Sequence, residues 1–240
     1  MKLDHNNPLP LHAQLKQKMA DRINDGYYSN QLPSERSFMD EFEISRNTVR
    51  EAISSLVTEG LLIKRHGVGT FVSPKPIQDW LGTLKSTTET IREMELQQDI
   101  DLITHGTVKP SNQLKRKIDD DSVYFIKRLR FADGHPIALE NEYYPLNIGN
   151  QLTQYDLNTE TIIDLLENEL GFRLNRANQV IKAGKISNED SKLLQFHQEE
   201  SVLISERLIT SEEGQWLEFS HTYYRPDLYS FSIDLERKNG

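Results

Sequence analysis

Apolar residues recur at helical spacing near the start of the chain. Leu11, Leu15, Met19 and Ile23 share one face and Gly26 follows as a stop, so a helix is expected near 9–25. Pro33 disfavours helix before it, and Ser34 can cap a short second helix whose apolar side is Phe38 and Phe42. A three-residue turn, Glu43-Ile44-Ser45, leads to a third helix. There Val49, Ala52, Ile53 and Leu56 form the buried stripe, while Arg46, Asn47, Arg50 and Ser54 point away from it. The period then changes. Residues 61–65 and 70–72 flank His66-Gly67-Val68-Gly69, the pattern of a β-hairpin with a glycine-rich tip.

Pro74, Pro76 and the polar stretch between Ser73 and Asp79 predict a boundary, giving domains 1–75 and 76–240. Strand-like runs follow near 98–108, 121–131, 136–144, 179–187, 201–210 and 215–224, with helical patterns near 86–95, 159–170 and 188–196. The fold class is α+β: a winged helix-turn-helix followed by an antiparallel-sheet domain. That second domain repeats itself. Arg128-Leu129, an Asp133-Gly134 turn and Tyr143-Tyr144 reappear as Arg207-Leu208, a Glu213-Gly214 turn and Tyr223-Tyr224. The copies differ where Arg130 matches Ile209 and where Ala138 matches Glu218, so one copy has gained a cation and the other a carboxylate. By strand parity, Tyr124, Ile126, Arg128 and Arg130 share one side, as do Trp216, Glu218, Ser220, Thr222 and Tyr224. Charges among aromatic neighbours suit a partly closed ligand site, with arginine forks for an anion. A structural ion pair of Arg128 or Arg130 with Glu140, Glu142 or Glu218 is the other use of the same residues.

Composition limits the function classes. The 240 residues carry a net charge of −9, and no apolar run approaches the ~20 residues of a membrane-spanning helix. The acidity is unevenly placed: residues 1–75 hold ten Lys/Arg against nine Asp/Glu, and residues 76–240 hold eighteen against twenty-eight. A near-neutral first domain with a basic face is compatible with DNA, whose phosphates respond to local cations. There is no cysteine, and the first residues lack the apolar segment of a secretory signal, so a cytoplasmic protein without disulfides is expected.

Arg46 and Arg50, four apart on the exposed side of the third helix, can enter a major groove together, where a guanidinium bonds guanine O6 and N7. Ser34, Arg36, Ser45 and Thr48 stand at helix starts, where hydroxyls, guanidinium and free amides suit phosphate oxygens. His66, Gly67 and Gly69 would bring the hairpin tip to the DNA backbone or minor groove. The segments LPSER, SRNTVREAI, EGLL and RHGVGTFV, between Leu32 and Val72, closely resemble the DNA-binding domain of the GntR family of regulators.

Residues 80–238 resemble the UTRA effector-binding domain of the HutC subfamily, in the segments 127–130, 134–140, Glu218 and 224–231. The resemblance implies a chorismate-lyase-like fold and an effector surrounded by Thr88, Arg128, Arg130, Glu140, Thr161, Glu218 and Tyr224, with Thr88 and Thr161 opening helices. It also implies a homodimer on an inverted-repeat operator in double-stranded DNA. Two close arginines favour a small anionic effector, such as a phosphorylated sugar. Thr87 departs from the family pattern, where relatives often carry Phe. An enzyme is the competing class suggested by the fold. No Ser/His/Asp order, metal-ligand spacing or phosphate-cradling glycine loop supports it, so neither catalytic residues, cofactor nor metal is expected.

Overall fold

Helix α1 (Leu11–Asn24) packs on α3 (Arg46–Thr58), α2 (Glu35–Phe42) packs on α3 as well, and the apolar stripes expected from the sequence meet there. Leu15, Phe38, Val49, Ala52 and Leu56 have no exposed surface. Both internal starts are capped: the Ser34 hydroxyl accepts the Ser37 amide at 3.2 Å, and the Ser45 hydroxyl accepts the Thr48 amide at 3.2 Å. A cap of this kind contributes about 1 kcal/mol. Glu43, at φ 56° in the left-handed region, ends α2 and turns the chain into α3. Strands β1 (Leu62–Arg65) and β2 (Gly69–Val72) then form the antiparallel hairpin, and Gln31 adds a bridge to Phe71. These elements lie in one unit, Met1–Pro74; the other is Lys75–Gly240. The structure is a computed structural model and describes residues 3–5, 7–28, 31–65, 68–73, 76–118, 120–196 and 199–237. His66 and Gly67 lie outside the described residues.

The second unit opens with β3 (Ile77–Trp80) and α4 (Thr87–Glu93), followed by β4 (Gln98–Val108), α5 (Asn112–Lys115) and β5 (Val123–Ala132). Next come β6 (His135–Pro145), α6 (Leu146–Leu152), α7 (Ile162–Asp164) running into a π-helical turn at Leu165–Glu169, and β7 (Leu174–Gly184). The chain closes with α8 (Asn188–Leu193), β8 (Val202–Ser211), β9 (Trp216–Tyr224) and β10 (Tyr229–Ser232). Strand β7 begins five residues before the expected 179. It is an edge strand without a continuous buried face, so no clean apolar alternation marks its start. The pairing of β3 with β10 had no counterpart in the sequence reading: the two strands are parallel and separated by nearly the whole unit.

The repeat folds as a palindrome of strands. The six-stranded antiparallel sheet runs β4-β5-β6-β9-β8-β7, with the two matching hairpins side by side. Each hairpin slips register at the matching place, between the partners of Arg130/Phe131 and of Ile209/Thr210. The extra residues are Ile137 and Leu217, eighty apart. A bulge inserts one residue and reverses the facing of what precedes it. Trp216 therefore does not share a side with Glu218. Leu217 packs with Tyr124, Ile126 and Tyr144, while Trp216 joins Phe219 on the other face and donates from Nε1 to Asp120 at 2.9 Å.

Candidate DNA interface and effector pocket

Arg46 and Arg50 stand on α3 with side chains 66% and 65% exposed, the facing that the buried stripe opposite them requires. Each approaches one oxygen of Glu35, at 3.9 Å and 3.8 Å, so a single carboxylate on the first turn of α2 tethers both. Arg36 is exposed beside it. Ser34 and Ser45 spend their hydroxyls on caps, and Thr48 Oγ1 lies 2.8 Å from Ser45 Oγ. Gly69 has a structural reason of its own. Its φ of +151° suits glycine, and a Cβ there would stand 2.5 Å from Gln31 Nε2, on the side chain that donates to the Val68 carbonyl.

In the second unit, one face of the sheet brings together Arg128 and Arg130 from β5, Glu140 and Glu142 from β6, Arg207 from β8 and Glu218 from β9. All of these residues but Arg207 are buried, and its side chain is 19% exposed. Buried charges must be paired, and these are. Arg128 donates from Nε and Nη2 to the two oxygens of Glu142, at 3.1 and 3.0 Å, and to Glu140 at 3.4 Å; its Nη1 reaches the Glu160 carbonyl at 3.2 Å. Arg130 donates to the Thr88 hydroxyl at 2.6 Å, and its Nε lies 3.9 Å from Glu140. Arg207 donates to Glu218 and to the Lys85 carbonyl, both at 3.0 Å. Tyr144 completes the set, donating to the other Glu218 oxygen at 3.2 Å. The ion-pair use of these residues is thus realised in the structure.

Two hollows adjoin this cluster. A small void of about 20 Å³ is lined by Thr88, Arg128, Arg130, Glu140, Thr161 and Glu218, among others. A wider cavity of about 530 Å³ has Tyr224 and Glu140 in its wall, together with Trp80, Gln179, Arg207 and Thr222. Thr87, Glu140, Glu142 and Arg207 line both, so the seven expected effector residues fall along one two-lobed cleft. One helix-start expectation needs correction. Thr88 is not the residue that opens α4: Ser86 caps it, with Glu89 reciprocating at 2.8 Å, because the carboxyl three residues on completes a capping box. Thr161 does occupy the cap position of α7, but its hydroxyl makes no cap bond. Thr87 donates to Glu140 at 2.8 Å, so the departure from the family pattern supplies a polar contact.

Burial and neighbouring charges set the ionisation. Burial pushes the Glu142 carboxyl up to about 7; Arg128 opposes this, while Glu140 and Glu218 add to it. Burial acts on Glu140 in the same sense, but Arg130 and Arg128 outweigh it and hold that carboxyl below its ordinary value. Asp79, donated to by the Tyr229 hydroxyl at 3.0 Å, is raised by burial. Arg207 and Glu142 were not singled out as site residues from the sequence. The repeat itself held the signal for the arginine, since Arg207 stands at the position matching Arg128.

Among the described residues no group of three or more His, Cys, Asp or Glu could hold a metal, and no helix is long and apolar enough to cross a membrane. Residues 11–72 match the model of bacterial regulatory proteins of the gntR family, and residues 94–230 match that of the UTRA domain. The chain is 28% identical to the HTH-type transcriptional repressor NagR of Bacillus subtilis, over 99% of each chain. It is 25% identical to MngR of Escherichia coli, the mannosyl-D-glycerate transport/metabolism system repressor, over 96% of this chain and 98% of that one. The crystal structure of PhnF from Mycobacterium smegmatis shares the fold with a TM-score of 0.66 at 20% identity, covering 93% of this chain and 99% of that one. With a capped helix-turn-helix presenting two exposed arginines, and a pseudo-symmetric sheet carrying a polar cleft, the chain belongs to the UTRA-domain transcriptional regulators of the gntR family, in its HutC subfamily.

Proposed function

We propose that this regulator is a repressor that binds an inverted-repeat operator as a homodimer and releases it when a small anionic metabolite enters the cleft. The observation that carries the DNA half is the pair of exposed guanidiniums, Arg46 and Arg50, one helical turn apart on α3. They read base edges in the major groove, while Arg36 and the helix starts at Ser34, Ser45 and Thr48 seat the phosphates. A two-fold dimer matches two half-sites.

For the effector, the supporting observation is the arginine cluster at the cleft, with a phosphorylated sugar as the first compound to test. The name of MngR ties that repressor to mannosyl-D-glycerate, a carboxylated sugar derivative and thus also an anion on a hydroxylated body. Residues 79–85 and Thr87, which follow the boundary between the units, form part of the cavity wall. A ligand there acts on the segment that leads from one unit into the other. Couplings of this kind are about 1–3 kcal/mol. Arg50→Ala tests the reading of the DNA site. It weakens operator binding by about 1–3 kcal/mol in fluorescence anisotropy and relaxes the preference at one guanine. Wild-type affinity in the folded variant would remove Arg50 from the interface.

A further inference from the structure

Six charged residues stand in the wall of the wide cavity: Asp79, Lys85, Glu140, Glu142, Arg176 and Arg207. Four of them are matched by an opposite charge. Lys85 is held by Glu93 at 2.6 Å, Arg207 by Glu218 at 3.0 Å and Glu142 by Arg128 at 3.0 Å, and Glu140 lies between Arg128 and Arg130. Asp79, half-buried, differs. Among the described residues no cation is paired with it, and its two oxygens accept neutral hydroxyls, from Tyr229 at 3.0 Å and from Thr90 at 3.4 Å. The Thr90 proton is also shared, because the Ser86 carbonyl lies 3.3 Å from the same hydroxyl. A carboxylate has about four acceptor positions, so Asp79 keeps room for further donors. Burial raises its pKa, and an incoming cation would relieve that cost.

Trp80, the last residue of β3, lines the same cavity and is 43% exposed. Its indole lies over Gly82, where a Cβ would stand 2.1 Å from the ring, so the missing side chain at 82 is what seats the ring there. A carboxylate with open acceptor positions and an indole surface are complementary to an ammonium ion, the first through charge and N–H bonds, the second through the ring quadrupole. Both residues precede the segment 94–230 that matches the UTRA domain. We propose that Asp79 and Trp80 form an ammonium-binding corner of the wide cavity, and that the ligand of this cavity carries a primary amine. The ammonium donates to Asp79 while its neighbouring carbons lie against the indole. Gln179, Ser205 and Thr222 offer donors and acceptors for the polar body of the ligand. A quaternary ammonium fits less well, having no N–H for the open positions of Asp79. The inference rests on the reading of this cavity as the effector site.

The test uses the full-length protein and two pairs of compounds in which an amine replaces a hydroxyl: phosphoserine with 3-phosphoglycerate, and glucosamine with glucose. Affinities are measured by calorimetry. In at least one pair the amine binds the wild type about tenfold more tightly than its hydroxyl counterpart. Asp79→Asn, which keeps an oxygen for the Tyr229 hydroxyl, removes that preference, and Trp80→Leu reduces it by about two- to fivefold. The ratio within a pair is the readout, because a purely structural Asp79 would weaken both members alike. Equal binding of amine and hydroxyl by the wild type, or a preference that survives in Asp79→Asn, overturns the proposal and leaves the effector site standing. If none of the four compounds binds, the reading of the cavity as a site for phosphorylated or hydroxylated ligands fails, and the ammonium corner falls with it.

Discussion

Both units display paired arginines on one face of an element, but the pairs live under opposite conditions. Arg46 and Arg50 are about two-thirds exposed and held only loosely by Glu35. The side chains of Arg128 and Arg130 are 4% and 2% exposed and sit among carboxylates. An exposed guanidinium is hydrated by water and can wait for an outside partner at little cost. A buried one must be compensated within the fold, because desolvation removes more free energy than an imperfect pair returns. Two arginines at a regular spacing thus stand as exposed surface groups in one setting and as a structural network in the other. Burial, which the spacing does not encode, decides between them.

The contrast breaks most visibly if a buried carboxylate is removed. Glu218→Ala leaves Arg207 without its carboxylate partner and Tyr144 without its acceptor, and is expected to lower stability by about 3–5 kcal/mol in urea unfolding. A loss below about 1 kcal/mol would mean that the network relaxes as easily as a surface one.

Glu142 sharpens the comparison through pH. Its folded-state pKa is raised from 4.5 to about 7, so the folded state holds a proton that the unfolded state has already released. Stability from this group is fully present below about pH 4.5 and is lost as pH rises through about 7. Wild type should therefore lose about 1–3 kcal/mol relative to Glu142→Gln between pH 5 and pH 8. Parallel pH profiles for the two proteins would place the titration elsewhere.

The smallest effect belongs to the exposed pair. If Arg46 and Arg50 contact DNA as proposed, Glu35→Gln removes a carboxylate that competes for them and should tighten operator binding by about 0.2–1 kcal/mol at low salt. Weaker binding in the variant would show that Glu35 orients the arginines rather than restrains them.

Much of this architecture was legible in the sequence because its signals are local. Pro33 and Ser34 mark the start of α2 and Ser45 that of α3, and the hairpin repeat is visible in its turns and tyrosine pairs. What escaped depends on events outside the local pattern. The bulge at Leu217 flips Trp216, and one inserted residue leaves no mark in an apolar run. Ser86 rather than Thr88 caps α4 because Glu89 completes its capping box, a pairing that a hydroxyl considered alone does not reveal. Arg130 and Glu218 stand out as positions that break the repeat. Arg207 does not, because the symmetry is kept there and only the partners differ.

The parallel pairing of β3 with β10 also bears on the order in which the protein is built. Ser230 donates to the Ile77 carbonyl across 153 residues of chain, so this contact closes a long loop and its entropy is repaid only once that loop is assembled. The first unit, by contrast, has all its strands and helices within residues 1–74. During synthesis the DNA-binding fold can form while the rest of the chain is still being made, whereas the cavity wall at Asp79 and Trp80 must wait until residue 232 has left the ribosome. On the proposed function, a nascent chain thus acquires the means to grip an operator before it has a complete site through which to be told to let go.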